Sequence, residues 1–249
     1  RRHNAGGPPQ NFEIMGIKRH IPNTITCCNL ISGAMACIAA FHGSAPFWGL
    51  TGYQWAFILI GAAAIFDFFD GFAARLLHAY SALGKELDSL CDLVSFGLAP
   101  AMLVYNVMAE ANDGRWTCWL AIFIAVMGAL RLARFNIDDR QTTSFIGLPI
   151  PANAIFWIGA VAWTQAHGYP GDGPAILFII AVSLLMVSNI KMFSLKFKTW
   201  NWRDNFRRYV LIAATLIFFI TDGIPGLAWT ITFYVLLSVL LGLLLPGRE

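Results

Sequence analysis

Eight long apolar stretches, separated by short polar ones, occupy most of this 249-residue sequence. A helix needs about 20 mostly apolar residues to cross a hydrocarbon core about 30 Å thick, because each residue advances only about 1.5 Å. The stretches run roughly over 24–42, 54–78, 87–109, 116–136, 152–167, 174–191, 208–221 and 227–245, the fifth and seventh being shortest. Inside a bilayer no water satisfies backbone N–H and C=O groups, so such runs must close their hydrogen bonds internally as helices. Composition agrees: 12% of residues are charged, half of the roughly 25% usual in soluble domains. The expected fold is all-α, a polytopic membrane bundle of about eight transmembrane helices. It forms one domain over 15–249, with no room for a sizeable soluble one. Residues 1–14 are polar and Gly/Pro-rich, and no cleavable signal is evident. They read as a disordered tail or a cloning remnant ahead of Met15-Gly16-Ile17-Lys18-Arg19.

Basic residues alternate with the spans. With the N-terminus inside, Lys18 and Arg19, then Arg75 and Lys85, then Arg131, Arg134 and Arg140 all fall inside. So do Lys191, Lys196, Lys198, Arg203, Arg207, Arg208 and Arg248. Only Arg115, beside Glu110 and Asp113, falls outside. Cytoplasmic loops carry the Lys/Arg excess, so the pattern predicts an N-in, C-in protein of the cell (inner) membrane. The five cysteines (Cys27, Cys28, Cys37, Cys91, Cys118) lie mostly in apolar segments and read as small packing residues. The stretch from Met192 to Arg208 mixes Phe193, Phe197, Trp200, Trp202 and Phe206 with basic residues. Either a membrane-surface segment or a basic loop with aromatic anchors accounts for it. No basic block resembles a nucleic-acid arm.

The second and third stretches contain what a plain bundle would not tolerate. Asp67, Asp70, Asp88 and Asp92 fall within 26 positions at the inner ends of two apolar helices. Charges at membrane depth are costly and mark function by default. Asp67 and Asp70 lie about 60° apart around one helix, and Asp88 and Asp92 are one turn apart on the next. A short connection makes these helices antiparallel neighbours, so all four carboxylates can face one pocket. Crowded carboxylates stay ionised only beside cations. All-oxygen ligands favour Mg²⁺ or Mn²⁺, and Ca²⁺ also suits them. Gly71 and Ala74 keep the same face low, and Arg75 is adjacent, which suits a nucleotide diphosphate. Two other readings stay open on spacing alone. One is an ion network with Arg75, Lys85, Arg131 and Arg134; the other is a cation or proton pathway. A pathway would spread its carboxylates through the bilayer depth, whereas these cluster at one face.

The pattern Asp-x2-Asp-Gly-x2-Ala-Arg-x8-Gly-x3-Asp-x3-Asp is complete here in Asp67, Asp70, Gly71, Ala74, Arg75, Gly84, Asp88 and Asp92. It resembles the signature of the CDP-alcohol phosphotransferases. Ile21-Pro22-Asn23-Thr24-Ile25-Thr26, Asp88 to Pro100, Arg131 to Asn136 and Phe145 to Pro151 extend the resemblance to the bacterial phosphatidylserine synthase branch. The resemblance implies CDP-diacylglycerol and L-serine as substrates, phosphatidylserine and CMP as products, and a homodimer. It implies that Asp67, Asp70 and Asp88 ligate the metals, two ions of Mg²⁺ or Mn²⁺, and that Asp92 ligates the second and is the general base on the serine hydroxyl. Gly71, Ala74 and Arg75 would line the CDP site, with Asn23, Thr26 and Ser81 near the nucleotide or its phosphates. In-line attack without a phosphatidyl-enzyme is expected. The same chemistry would serve glycerol 3-phosphate, inositol phosphate or choline as acceptor.

A serine carboxylate calls for a guanidinium, which binds it bidentately. Arg131 and Arg134 are the candidates; pairing with Asp138 and Asp139, or a topological role, is the alternative. His20, His42, His78 and His167 sit near helix ends and read as interfacial. Ser95 and Gly97 either shape the acceptor pocket or mark a close helix contact. Phe145 to Pro151 forms a lid or a rigid turn.

Overall fold

The computed structural model describes residues 10–137, 145–193 and 201–244. Helix α1 spans Gln10–Phe41. Residues 10–14 form the first part of this helix. A two-residue pairing of β1 (Pro46–Phe47) with β2 (Leu50–Thr51) turns the chain into α2, Gly52–Leu76. Thr51 and Gln54 start α2 with a reciprocal capping box (3.2 and 3.0 Å). Helix α3 (Ala82–Asp92) continues through one wide π-helical segment, Leu93–Leu98, into α4, Ala99–Ala111. A 3₁₀ stretch, Trp116–Ala121, leads into α5 (Ile122–Ile137). Then come α6 (Ile150–His167), α7 (Asp172–Val187), α8 (Trp202–Asp222) and α9 (Gly226–Leu244).

Every predicted apolar stretch falls on one of these helical segments. Among the described residues four helical segments, His20–Phe41, Gly52–Leu76, Ala82–Ala111 and Trp116–Ile137, are long and apolar enough to cross a membrane. The chain is a helical membrane protein. The basic residues Arg140, Lys196, Lys198 and Arg248, and most of the aromatic loop before Trp202, lie outside the described residues.

Helix α1 packs most extensively against α2 and also touches α3, the π segment and α4; α5 packs on α7, and α6 and α8 on α9. The α1–α2 seam is lined by Ala36, Ala39, Ala40, Ala56 and Ala63, all buried. Small side chains let helix backbones approach where lipid supplies no hydrophobic drive between helices. Gly33 takes this to its limit: a Cβ there would lie 2.7 Å from the Cα of Ser95. The π segment leaves backbone carbonyls outside the α-helical pattern. Buried Asn153 answers one of them, donating to Phe96 O (3.0 Å) while accepting from Trp157 Nε1 (2.9 Å).

Hydrogen bonds define the two ends of the bundle. At one end Glu110 accepts from Ser44 N, Ser44 Oγ and Tyr53 Oη (3.1, 3.0 and 2.9 Å), tying α4 to the α1–α2 connection. There too Asp172 accepts from Thr117 Oγ1 (2.9 Å), Tyr169 Oη (2.8 Å) and Asn112 Nδ2. Burial and this carboxylate push the Tyr169 phenol above its usual range, so it stays a donor. At the other end Lys85 Nζ donates to Asn136 O (3.1 Å), and Arg134 donates to Val187 O (2.7 Å) and Asn189 Oδ1 (2.5 Å). The strands β3 (Phe145–Ile146) and β4 (Lys191–Met192) pair antiparallel. Gly147 N donates to Ile190 O (2.8 Å) and Leu148 N to Leu185 O (3.1 Å). Phe145 to Pro151 is therefore a rigid turn clamped to the end of α7, and Leu148 is fully buried.

Candidate active site

Helices α2 and α3 meet at the Lys85 end of the bundle. His78 adopts φ 50°, and Ala79 N returns to Ala74 O (3.0 Å), which reverses the chain within a few residues. Ser81 caps α3, accepting from Gly84 N (2.9 Å). This tight turn reverses the chain; α2 and α3 both pack on α1, and the aspartates of α2 and α3 face one another.

Asp67, Asp70 and Asp88 converge: one carboxylate oxygen from each lies within 4.8 Å of the others. At this spacing bare carboxylates repel one another. Asp70 is 6% exposed, and its Oδ2, like Asp88 Oδ1, is buried without a hydrogen-bond partner. Orphaned buried carboxylate oxygens are expensive. A cation held among the three carboxylates would satisfy them. Three hard oxygen donors at this spacing fit a divalent ion such as Mg²⁺ or Mn²⁺.

Asp92 stands one turn farther along α3, close to Asp67 and Asp88, but outside the three-carboxylate group. Its Oδ1 accepts from Asn29 Nδ2 (3.2 Å). Asn29 escaped the reading of the sequence. Its signal was the spacing Asn23, Thr26, Asn29, a polar residue at every third position of an otherwise apolar helix. Ser95 is fully buried and donates to Asn29 Oδ1 (2.6 Å), so it supports Asn29. Gly97 lies at a close helix contact, its Cα 3.6 Å from where a Gly128 Cβ would sit.

A cleft of about 580 Å³ opens beside the carboxylates, lined by Asn23, Thr26, Gly71, Ala74, Ser81 and Lys85 among others, with Asp70 and Asp88 on its wall. Five positions expected near a nucleotide are thus brought together. Thr26 Oγ1 donates to Pro22 O (3.0 Å). Arg75 is exposed at the end of α2 and outside the cleft lining. Tyr80 and Lys85 are lining residues the sequence reading had not placed there.

The two arginines separate. Arg131 is 6% exposed; its Nε donates to Leu148 O (3.3 Å), its guanidinium lies 5.0 Å over the Phe135 ring, and it attracts Asp92. Arg134 is engaged by Val187 and Asn189. Asp138 and Asp139, the alternative partners, lie outside the described residues. None of the four histidines named above lines the cleft.

Comparison with known proteins bears on the whole arrangement. The chain is 35% identical over 204 residues to a CDP-diacylglycerol–serine O-phosphatidyltransferase of Helicobacter pylori, covering 79% of this chain and 81% of that one. It is 36% identical over 174 residues to the protein of the same name from Bacillus subtilis (69% and 89% covered). It is 33% identical over 177 residues to an archaetidylserine synthase of Methanothermobacter thermautotrophicus (69% and 68% covered). The family model for CDP-alcohol phosphatidyltransferase matches residues 19–202, a region that contains all four aspartates and the cleft beside them. By that match the chain belongs to the CDP-alcohol phosphatidyltransferase family.

Proposed function

We propose that this protein transfers the phosphatidyl group of CDP-diacylglycerol to L-serine, giving phosphatidylserine and CMP. The observation that carries the reading is the convergence of Asp67, Asp70 and Asp88, with two orphaned oxygens, on a cleft wide enough for a nucleotide. The names of the relatives supply the acceptor. Asp67, Asp70 and Asp88 would hold one divalent ion, and Asp92 would share in a second; Mg²⁺ or Mn²⁺ there would neutralise the diphosphate and stabilise departing CMP. Gly71 and Ala74 present a low backbone face to the nucleotide, with Asn23, Thr26 and Ser81 as polar contacts and Arg75 at the mouth. Asp92 takes the proton from the serine hydroxyl as its oxygen bonds to phosphorus. The bond between that phosphorus and the CMP oxygen breaks. Arg131, buried beside Asp92, pairs with the serine carboxylate, while Arg134 holds α5 to α7.

Eight spans, an N-in and C-in chain, and an active site at the cytoplasmic face of the inner membrane follow from the charge pattern. The enzyme is taken as a homodimer with its catalytic domain over 15–249. The test is CMP release by purified protein given CDP-diacylglycerol, L-serine and Mn²⁺ or Mg²⁺. Glycerol 3-phosphate, inositol phosphate and choline serve as parallel acceptors, and an archaeal-type ether lipid as a parallel donor. Serine-dependent release that vanishes in Asp92→Asn is expected. Release with another acceptor alone would overturn the serine assignment.

A further inference from the structure

A carboxylate that serves as a base must present one oxygen to the incoming hydroxyl within hydrogen-bond reach. Rotation about the terminal torsion of aspartate is soft, so a free carboxylate spends much of its time misaligned. Asp92 is not free. Asn29 Nδ2 donates to its Oδ1 (3.2 Å) from the neighbouring helix α1. The Asn29 amide is itself held: its Oδ1 accepts from Ser95 Oγ (2.6 Å), and the same hydroxyl reaches Asn29 O (3.1 Å). The amide orientation has a physical cause. A carboxylate only accepts hydrogen bonds, so the NH₂ must face Asp92 and the carbonyl oxygen must face the serine hydroxyl.

Burial gives these bonds weight. Asn29 and Ser95 are fully buried and Asp92 is 9% exposed, so water does not compete for them. Gly33, one turn along α1 from Asn29, lets the Ser95 backbone come close; a Cβ there would strike Ser95 Oγ at 2.2 Å. Asn29 is not among the residues lining the cleft. Its amide therefore acts on Asp92, not on the nucleotide.

Resting on the assignment of Asp92 as base, we infer that Asn29, oriented by Ser95, is the positioning residue that locks the Asp92 carboxylate so that its Oδ2 faces the acceptor hydroxyl. Ser95 acts only through Asn29.

The test compares wild type, Asn29→Ala, Ser95→Ala and the double variant as purified, monodisperse protein. The readout is serine-dependent CMP release, with kcat and the KM for CDP-diacylglycerol measured separately. Asn29→Ala should lower kcat about 10- to 100-fold, the worth of a hydrogen bond to a charged group, with the KM for CDP-diacylglycerol within about twofold. Ser95→Ala should lower kcat about 2- to 10-fold. The double variant should match Asn29→Ala, because residues acting in series are not additive. A merely structural pair would reduce the yield of folded protein and leave kcat per folded enzyme unchanged; that result overturns the inference. Multiplying losses in the double variant, or a KM that rises as kcat falls, overturns it too. Should Asn29→Ala fail to fold, Ser95→Ala decides alone: an unchanged kcat refutes the positioning role. A wild-type enzyme without serine-dependent release would instead sink the phosphatidyl-transfer reading, whereas an active wild type with an equally active Asn29→Ala sinks only this inference.

Discussion

Gly71→Ala separates what a glycine does for the helix from what it does for the ligand. Gly71 lies within α2 and lines the cleft, and a Cβ added there meets no atom within 4 Å. The folded protein thus pays no packing penalty. Alanine is favoured over glycine in a helix interior by about 1 kcal/mol, which corresponds to a rise in Tm of about 2–4 °C for a chain of this size. The new methyl projects into open cleft, where the nucleotide is proposed to lie against the backbone. Crowding a fitted contact by one methyl costs about 1–3 kcal/mol, or roughly a 5- to 150-fold rise in the KM for CDP-diacylglycerol. Gly61→Ala is the control: it also meets nothing within 4 Å but lies away from the cleft. It should gain the same stability and keep its KM. Thermal unfolding in detergent and steady-state CMP release measure both quantities on the same preparations. A Gly71→Ala enzyme with wild-type KM would refute close approach of the nucleotide at this position.

Three further outcomes follow from the geometry. Asp88→Asn should melt at a higher temperature than wild type in EDTA, because it relieves repulsion among three converging carboxylates. With Mn²⁺ the order should reverse, and identical melting curves with and without Mn²⁺ in wild type would remove the metal from the site. Arg134→Ala should destabilise the fold by about 1–3 kcal/mol through loss of its bonds to Val187 and Asn189 and leave the KM for serine unchanged, whereas Arg131→Ala should raise that KM at least tenfold; the reverse pattern in a serine titration would exchange their roles. Glu110→Ala, far from the cleft, removes the shared acceptor of Ser44 and Tyr53. It should cost about 2–3 kcal/mol by denaturation with kcat per folded enzyme intact, and a loss of kcat at full stability would contradict a purely structural role.

The proposed mechanism separates tasks by position along two helices. The lower turn of α2 and the first turns of α3 bring Asp67, Asp70 and Asp88 together beside the cleft. One turn deeper, Asp92 is withdrawn from that group and held by Asn29. Under the proposed assignment Asp67, Asp70 and Asp88 hold the first ion, while Asp92, which shares only in the second, keeps an oxygen for the proton. The wide π segment immediately after Asp92 fits the same plan, since π-bulges recur at functional sites.

Helix positions and the aspartate array were legible in the sequence because their causes are local. Apolar length answers to bilayer thickness, and the three- and four-residue spacing of Asp67, Asp70, Asp88 and Asp92 answers to the helical turn. A short turn is enough to reverse the chain between α2 and α3, so the sequence alone determined that Asp67, Asp70 and Asp88 would meet, whereas Asp92 stands apart from them. It did not reveal Asn29, whose partner Asp92 lies on a different helix, nor divide Arg131 from Arg134, which share a helix and a charge. It left Phe145 to Pro151 open between lid and turn, because the deciding strand, Lys191–Met192, is distant in sequence. Only the tertiary structure settled these points: which buried polar group finds a partner depends on how helices pack, and that packing is set by small residues such as Gly33 acting across the whole bundle.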